Sequence, residues 1–351
     1  MLRQLAAGIA ACGLLTGIAS AAESTPELET FVVSGEQPGP GLWKVSKGDH
    51  VMWVLASYGA LPKDMTWRTR EIEARIAESQ EVLYAPSINI GADIGILRGL
   101  TLIPAALKAS KIPDGRTLKD VLPADTYNKW LALRLKYIGK DDDIEKMRPA
   151  LALEGLRAKA AAKNGLTGGP NVLAVVGDLR KKHKVTGTRL PAVVRTIRVE
   201  NPRGILKSAQ KLQLPDAQCF TEHLDKVEPE VERTKQLANA WARGDVQTLR
   251  SIHRDVKIRD AVRESCTYAL SAALNEAGSV DADHARKMFD DAMWHIEQAS
   301  VQAQINWIAA ARASIEKNPS TFAVLPVMDV FRPDGHLEKL RALGYTVEEP
   351  K

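Results

Sequence analysis

Strand-length apolar runs alternate with helical segments along this chain, and that order constrains its fold more than any other feature. Residues 42–46 alternate between apolar and polar side chains, residues 47–50 have turn composition, and residues 51–55 form an uncharged apolar run. We predict a hairpin whose second strand is the more buried. Residues 64–79 predict a helix, and residues 81–85 predict the next strand. A strand, helix, strand unit of this kind is typical of an α/β domain.

The middle of the chain has a mainly helical pattern. Residues 94–163 carry apolar side chains at helical spacing, with breaks expected at the prolines, the first of them Pro104. Residues 165–171 are rich in glycine and predict a loop. The basic run at residues 181–184 is interpreted as a solvated helix end instead of a nucleic-acid patch. Residues 193–199 predict another strand.

The second half repeats this plan with a larger share of helix. Residues 220–318 are almost entirely helical in pattern, with Asp245 and Asp283 placed as N-caps. Residues 321–325 and 345–347 return to strand character. We therefore predict an α/β fold, in which a mixed sheet with strand-helix-strand units carries a large helical insertion in the second half.

The N-terminus predicts export. An apolar run over residues 5–18 follows Arg3 and ends in small residues, so residues 1–22 have the pattern of a secretory signal peptide. A membrane anchor is the alternative, but the run is shorter than the about 20 residues that span a bilayer. A lipoprotein with a lipid on Cys12 is a further alternative. Residues 23–40 predict an extended lead-in, and we expect a periplasmic or secreted protein with no membrane span after cleavage.

Composition narrows the classes of protein without naming a reaction. The chain has 351 residues, is 45% hydrophobic and 26% charged, and has a mean hydropathy of −0.19, which excludes a polytopic membrane protein and a disordered tail. Its net charge of +5 is spread along the chain and indicates no nucleic-acid partner. After signal cleavage two cysteines remain, Cys219 and Cys266, which either form a disulfide in an oxidising compartment or stay as buried thiols.

The common catalytic motifs are missing from the sequence. There is no phosphate-binding GxxxxGK[ST] loop, no GxGxxG fingerprint, no HExxH zinc motif and no GxSxG nucleophile elbow. None of the seven histidines has another histidine four residues away, the spacing that places two imidazoles on one metal ion. A histidine metal site would have to be assembled from distant parts of the chain.

Four segments together resemble the TraB/GumN family. They are GLWKV at residues 41–45, VMWVLASYGALP at residues 51–62, ANAWARGD at residues 238–245, and the DG, LR and GYTV groups within residues 334–347. That family is similar to the Tiki metalloproteases and to erythromycin-esterase-like hydrolases. The resemblance implies an α/β fold, an envelope location and a single domain over residues 41–351.

The resemblance also implies a metal site, and this sequence departs from it. The family's site is proposed to rest on two glycine-x-x-histidine motifs at the ends of core strands, with an acidic residue after another strand. Here Ala56 and Gly59 occupy the first glycine and histidine positions, and Pro326 and Asp329 occupy the second pair. Ala85 lies where the acidic residue is expected. Both imidazoles that would bind the metal are therefore replaced.

We expect a catalytically degenerate family member with no catalytic or metal-ligating residues and no cofactor. Four-coordinate zinc needs three or four protein ligands, and Asp329 alone does not supply them. Such a protein would act by binding an envelope polypeptide or a polysaccharide component. The alternative is a divergent hydrolase with zinc or manganese in a site rebuilt from five residues: Ser57, Tyr58, Asp64, Asp329 and His336.

Overall fold

The computed structural model describes residues 36–211, 216–254 and 280–350. Its strands are β1 Glu36–Gln37, β2 Leu42–Lys47, β3 His50–Ser57, β4 Thr66–Trp67, β5 Glu81–Tyr84, β6 Ile88–Ala92, β7 Thr186–Arg189, β8 Val193–Ile197, β9 Ser320–Pro326 and β10 Thr346–Glu348. Its helices are α1 Arg70–Glu78, α2 Ile96–Ala109, α3 Leu118–Val121, α4 Ala124–Tyr137, α5 Pro149–Lys163, α6 Val172–Lys182, α7 Pro202–Lys211, α8 Asp216–Leu224, α9 Val227–Arg243, α10 Val246–Arg254, α11 Val280–Lys317, α12 Val327–Phe331 and α13 His336–Ala342.

A six-stranded mixed sheet forms the centre of the fold, in the order β10-β2-β3-β9-β5-β7. The predicted hairpin is confirmed, because β2 and β3 pair antiparallel around a turn at residues 48–49. Gly48 has a φ of +59° there, a conformation that glycine adopts without strain. The strands β3, β9, β5 and β7 run parallel to one another, as a chain with helical crossovers requires, whereas β2 pairs antiparallel with both β3 and β10. The α/β class is confirmed.

Three hydrophobic clusters hold together the part of the chain that the structure describes. The largest lies on the six-stranded sheet and takes in nearly every residue of β3 and β9 that points away from solvent. A second cluster lies among α3, α4, α5, α8 and α9. It surrounds the buried rings of Trp130 and Phe220, which meet edge to face with 5.6 Å between their centroids. The third is small and joins Val193 of the two-stranded β6-β8 sheet to Ala299 and Ala303 of α11.

Several predicted boundaries are wrong, each for a local reason. The helix predicted over residues 64–79 begins at Arg70, because Thr66–Trp67 pairs in parallel with Glu36–Gln37. The helix break predicted at Pro104 is absent, since α2 continues through this residue. Asp283 is not an N-cap, because α11 is already helical at Val280.

Other predictions hold or lie outside the described residues. Asp245 caps α10, where its carboxylate accepts from the Thr248 backbone N–H at 3.0 Å. The predicted signal peptide at residues 1–22 lies outside the described ranges, and so does Cys266, the predicted disulfide partner of Cys219. The leader and the disulfide therefore stay predictions. Within the described ranges, no helix combines the length and the apolar character needed to cross a bilayer.

Candidate functional site

Four parallel strands end together at one edge of the sheet, which we call the carboxyl edge and define by their last residues, Ser57, Tyr84, Arg189 and Pro326. Ser57 of β3 pairs with Pro326 of β9, and Tyr84 of β5 pairs with both Val324 of β9 and Arg189 of β7. In α/β proteins, ligands bind outside the carboxyl ends of such strands. The residues that follow these ends are therefore the candidate site.

The five positions of the family's metal site all lie at or just after the carboxyl edge. Ala56 is buried and Ala85 is half-buried, and each offers only a methyl group. Gly59 and Pro326 are exposed. A Cβ atom at Gly59 would meet no other atom within 4 Å, so the space that a histidine would use there is open.

Asp329 is the one member of this set with an oxygen ligand to offer. It lies in the first turn of α12. Burial raises the pKa of its carboxyl group, an effect that Arg332 opposes and Asp334 reinforces. Metal binding requires the deprotonated carboxylate, and burial of Asp329 disfavours that form.

His336 lies beside Asp329 but is turned toward the protein interior. Its ring hydrogen-bonds the backbone carbonyl of Asp329 and meets the Trp307 ring edge to face, with 5.1 Å between centroids. Burial lowers the pKa of the His336 imidazole to about 4, although this hydrogen bond favours the charged form. The imidazole is therefore neutral at pH 7. Its Nδ1 atom makes no hydrogen bond to any described residue.

Gly335 allows this close arrangement. A Cβ atom at Gly335 would lie 2.4 Å from the Asp329 carbonyl oxygen, so a larger residue would push the loop away. Arg332 and Asp334 close the same loop with two parallel hydrogen bonds, at 2.9 and 2.7 Å. The loop between α12 and α13 is thus fixed around the Asp329 carbonyl.

The other residues of the rebuilt site suggested by the sequence have separate surroundings. The Ser57 hydroxyl donates to the Leu325 carbonyl at 3.2 Å. Burial raises the pKa of the Tyr58 phenol to about 12, against the opposing charge of Arg233. Asp64 lies exposed in a turn. The one hydrogen bond among the five proposed residues is the bond from the His336 ring to the Asp329 backbone.

Trp241 of the ANAWARGD segment makes a specific contact with the site that the sequence did not predict. Its indole N–H donates to the Ala56 carbonyl at 2.6 Å, and its ring meets Trp67 edge to face with 5.1 Å between centroids. The backbone at the first motif position is thus bound to a buried aromatic ring of α9. In the ANAWARGD segment, the small residues Ala240 and Ala242 are fully buried on either side of Trp241 in the sequence.

A cavity adjoins the carboxyl edge between α6 and the ends of β5 and β7. Its volume is about 230 Å³. Tyr84 and Arg189 line it, and the Arg189 guanidinium lies over the Tyr84 ring at 4.6 Å from its centroid. The α6 side of the cavity is mixed, with the apolar Leu173 and Ala174 beside the charged Asp178 and Lys181. Aromatic and charged side chains in one cavity can stack on and hydrogen-bond a polar ligand.

The donor set at the carboxyl edge does not fit a catalytic zinc or manganese ion. Catalytic zinc sites use three protein ligands, with imidazole prominent among them. The described residues contain no group of three His, Cys, Asp or Glu side chains arranged to hold a metal ion. The family positions themselves supply one carboxylate and no imidazole. No metal-dependent step is therefore derived for this edge.

The fold and the edge define an α/β protein with a candidate binding site at the ends of its parallel strands. The chain belongs to the TraB/PrgY/gumN family, whose family model matches residues 41–349. No curated protein and no solved structure matches the chain. The match begins one residue before β2, so residues 1–40 lie outside it.

Proposed function

We propose that this protein is an exported member of the TraB/PrgY/gumN family that has lost metal-dependent hydrolase activity and acts by binding. One observation carries the proposal: the carboxyl edge presents Ala56, Gly59, Ala85 and Pro326 at four of the five family positions, and none of these has a side chain that ligates a metal. Removing both imidazoles removes most of the affinity for a catalytic ion and the activated water it would supply.

The binding role is supported by the cavity beside that edge, which has both apolar and charged side chains in its lining. Tyr84 and Arg189 give it an aromatic face and a cation, which suit an envelope polypeptide or a polysaccharide component as ligand. The proposed location is periplasmic or secreted, as the leader at residues 1–22 predicts. The proposed role uses no cofactor.

The experiment combines metal analysis with thermal unfolding. The protein is purified without chelator from the cells that make it, its metal content is measured, and its Tm is recorded with added Zn²⁺, Mn²⁺ or EDTA. We expect substoichiometric metal and the same Tm in all three. One bound ion per chain, together with a Tm that EDTA lowers, would contradict the proposal and support the divergent hydrolase with zinc or manganese.

Photo-crosslinking tests the binding half of the proposal. A photoreactive amino acid at Gly59, where open space surrounds the Cβ position, should crosslink the partner in the envelope. The matched control carries it at Leu343, which is exposed in the turn after α13. A crosslinked product at both positions or at neither would count against a binding site at the carboxyl edge.

A further inference from the structure

The helix α2 carries an apolar face toward solvent. Leu97, Leu100, Ile103 and Leu107 are 49% to 81% exposed, and their spacing places them along one side of the helix, which we call the α2 face. Leu102, on the opposite side, is buried. Four large aliphatic side chains in one exposed row exceed the scattered single residues that are normal on a protein surface.

The α2 face is held in place by α7, which packs against α2. The Gln210 side chain donates to the Ala105 carbonyl at 3.2 Å. The buried Arg148 guanidinium donates to the Ala109 carbonyl at 2.8 Å and also to the Ala209 carbonyl. Because Arg148 joins the last turns of both helices, α2 and α7 end side by side.

The charged side chains on α2 and α7 themselves have one sign, and the acidic residues Asp93, Asp114 and Glu200 lie in the segments beside these helices. Residues 94–113 and 201–211 contain no Asp or Glu. Their exposed basic side chains are Arg98, Lys108, Lys111, Arg203 and Lys207. The whole chain is nearly balanced, with 48 basic and 43 acidic residues, so this purely basic pair of helices is a local departure from its composition.

We propose that the α2 face docks on an anionic lipid surface. The leucines and the isoleucine of the α2 face would enter the boundary between headgroups and acyl chains, while the basic side chains of α2 and α7 contact lipid phosphates. A helix with an aliphatic face bordered by Lys and Arg has the composition of an interfacial helix that lies in the membrane plane. This contact is peripheral and requires no membrane span.

The same residues favour lipid over a protein partner. Protein interfaces draw most of their binding energy from Trp, Tyr and Arg, and leucine is under-represented among those residues. Neither α2 nor α7 contains an aromatic residue. Lipid tails, in contrast, accept aliphatic side chains without the shape match that a protein partner needs.

Vesicle flotation tests the proposal with the protein purified from the cells that make it. Vesicles of phosphatidylethanolamine with phosphatidylglycerol are compared with vesicles of phosphatidylcholine alone. The test variant is Leu100→Ser/Leu107→Ser, and the matched control is Leu135→Ser, an exposed leucine on α4 outside the α2 face. The variants share one N-terminus, so any effect of the leader cancels in the comparison.

We expect the wild type and Leu135→Ser to float with the anionic vesicles and to be released by added salt. The double variant should bind them at least about tenfold more weakly, because two apolar side chains no longer enter the lipid. Absence of wild-type binding, or equal binding by the double variant, would overturn the proposal.

A second copy of the chain is the competing occupant, and light scattering separates the two. A monomeric wild type supports the lipid proposal. A dimer that Leu100→Ser/Leu107→Ser converts to monomer would overturn it and assign the α2 face to self-association. Neither result alters the metal analysis of the carboxyl edge, so the two proposals fail independently.

Discussion

The two ends of the parallel strands use polar side chains in opposite ways. At the amino end of β5 and β9, the Glu81 carboxylate accepts hydrogen bonds from Ser314 and Asn318 of the α11 terminus, both at 3.0 Å. At the carboxyl end, Ala56, Ala85 and Pro326 bring no polar side chain to the edge.

The difference separates stability from function within one sheet. The amino end joins α11 to the strands through a complete set of hydrogen bonds, which is a structural role. The carboxyl end is where α/β proteins place their ligands, yet its backbone is bound by an aromatic ring instead of being grouped around an ion. The protein has the strand ends of its family's site, and we propose that it lacks the metal chemistry implied for that site.

Replacing Trp241 by alanine should have the largest effect. The ring is fully buried and its N–H binds the Ala56 carbonyl, so Trp241→Ala leaves a cavity and an unpaired backbone group beside it. We expect a loss of about 3–5 kcal/mol in the free energy of unfolding, measured by urea denaturation.

The matched control is Trp294→Ala, since Trp294 is 55% exposed on α11. It should cost less than about 1 kcal/mol. Equal losses in the two variants would mean that the carboxyl edge does not depend on the Trp241 ring.

Acid should weaken the carboxyl end through His336. The folded pKa of this imidazole is about 4, below its ordinary value of 6.5, so the unfolded chain binds more protons between these values. The stability that the neutral His336 imidazole contributes is therefore fully present above about pH 6.5 and is lost as the pH falls toward 4. The wild type should lose about 3 kcal/mol more than His336→Phe between pH 7 and pH 4.

The comparison with His336→Phe removes contributions common to both proteins. Burial raises the pKa of the Asp216 carboxyl group to about 6, which acts in the opposite sense by favouring the folded state at low pH. That effect is the same in wild type and variant. Parallel stability curves for the two proteins would show that His336 is not the titrating group.

A substitution at the amino end of the strands should lower the free energy of unfolding by a smaller amount. Glu81→Ala leaves the Ser314 hydroxyl and the Asn318 amide without their shared acceptor, and we expect a loss of about 1–3 kcal/mol in urea denaturation. Glu78→Ala is the control, because Glu78 makes an exposed ion pair with Arg75 and should change stability by less than about 0.5 kcal/mol. A Glu81→Ala loss no larger than the control would contradict a structural role for this end.

The central strands were predictable because their signals are local. The apolar runs of β3 and β9 and the alternation in β2 are visible within a few residues of sequence. The edge strand β7 was missed, since its sequence TGTR has neither an apolar run nor an alternating face. Pairing with β5 makes it a strand, and that pairing joins residues about a hundred positions apart.

The candidate site was predictable in position but not in contacts. The resemblance placed Ala56 and Pro326 at the ends of two core strands, and the structure brings these strands side by side. The bond from Trp241 to the Ala56 carbonyl joins residues 185 positions apart, which no local pattern reports. Asp245 was identified as a cap because capping acts within a single turn.

Gly59→His should have the smallest effect on stability and gives the sharpest test of the carboxyl end. A Cβ atom at Gly59 meets open space, and its backbone is not in the left-handed region, so we expect the free energy of unfolding to change by less than about 0.5 kcal/mol. Gly169→Ala is the contrasting control, because a Cβ atom there would lie 2.0 Å from the Leu61 carbonyl oxygen. That variant should be clearly destabilised.

The Gly59→His variant also tests whether the other ligands of a metal site are present. Gly59→His restores one imidazole at the first motif, so an edge that still held two further ligands would complete a three-ligand zinc site. With Asp329 as the one side-chain ligand left at the family positions, we expect no zinc-dependent rise in Tm. A rise of several degrees with equimolar Zn²⁺, absent in the wild type, would show that the carboxyl end retains ligands for an ion. The contrast between the two ends would then rest on a single missing side chain.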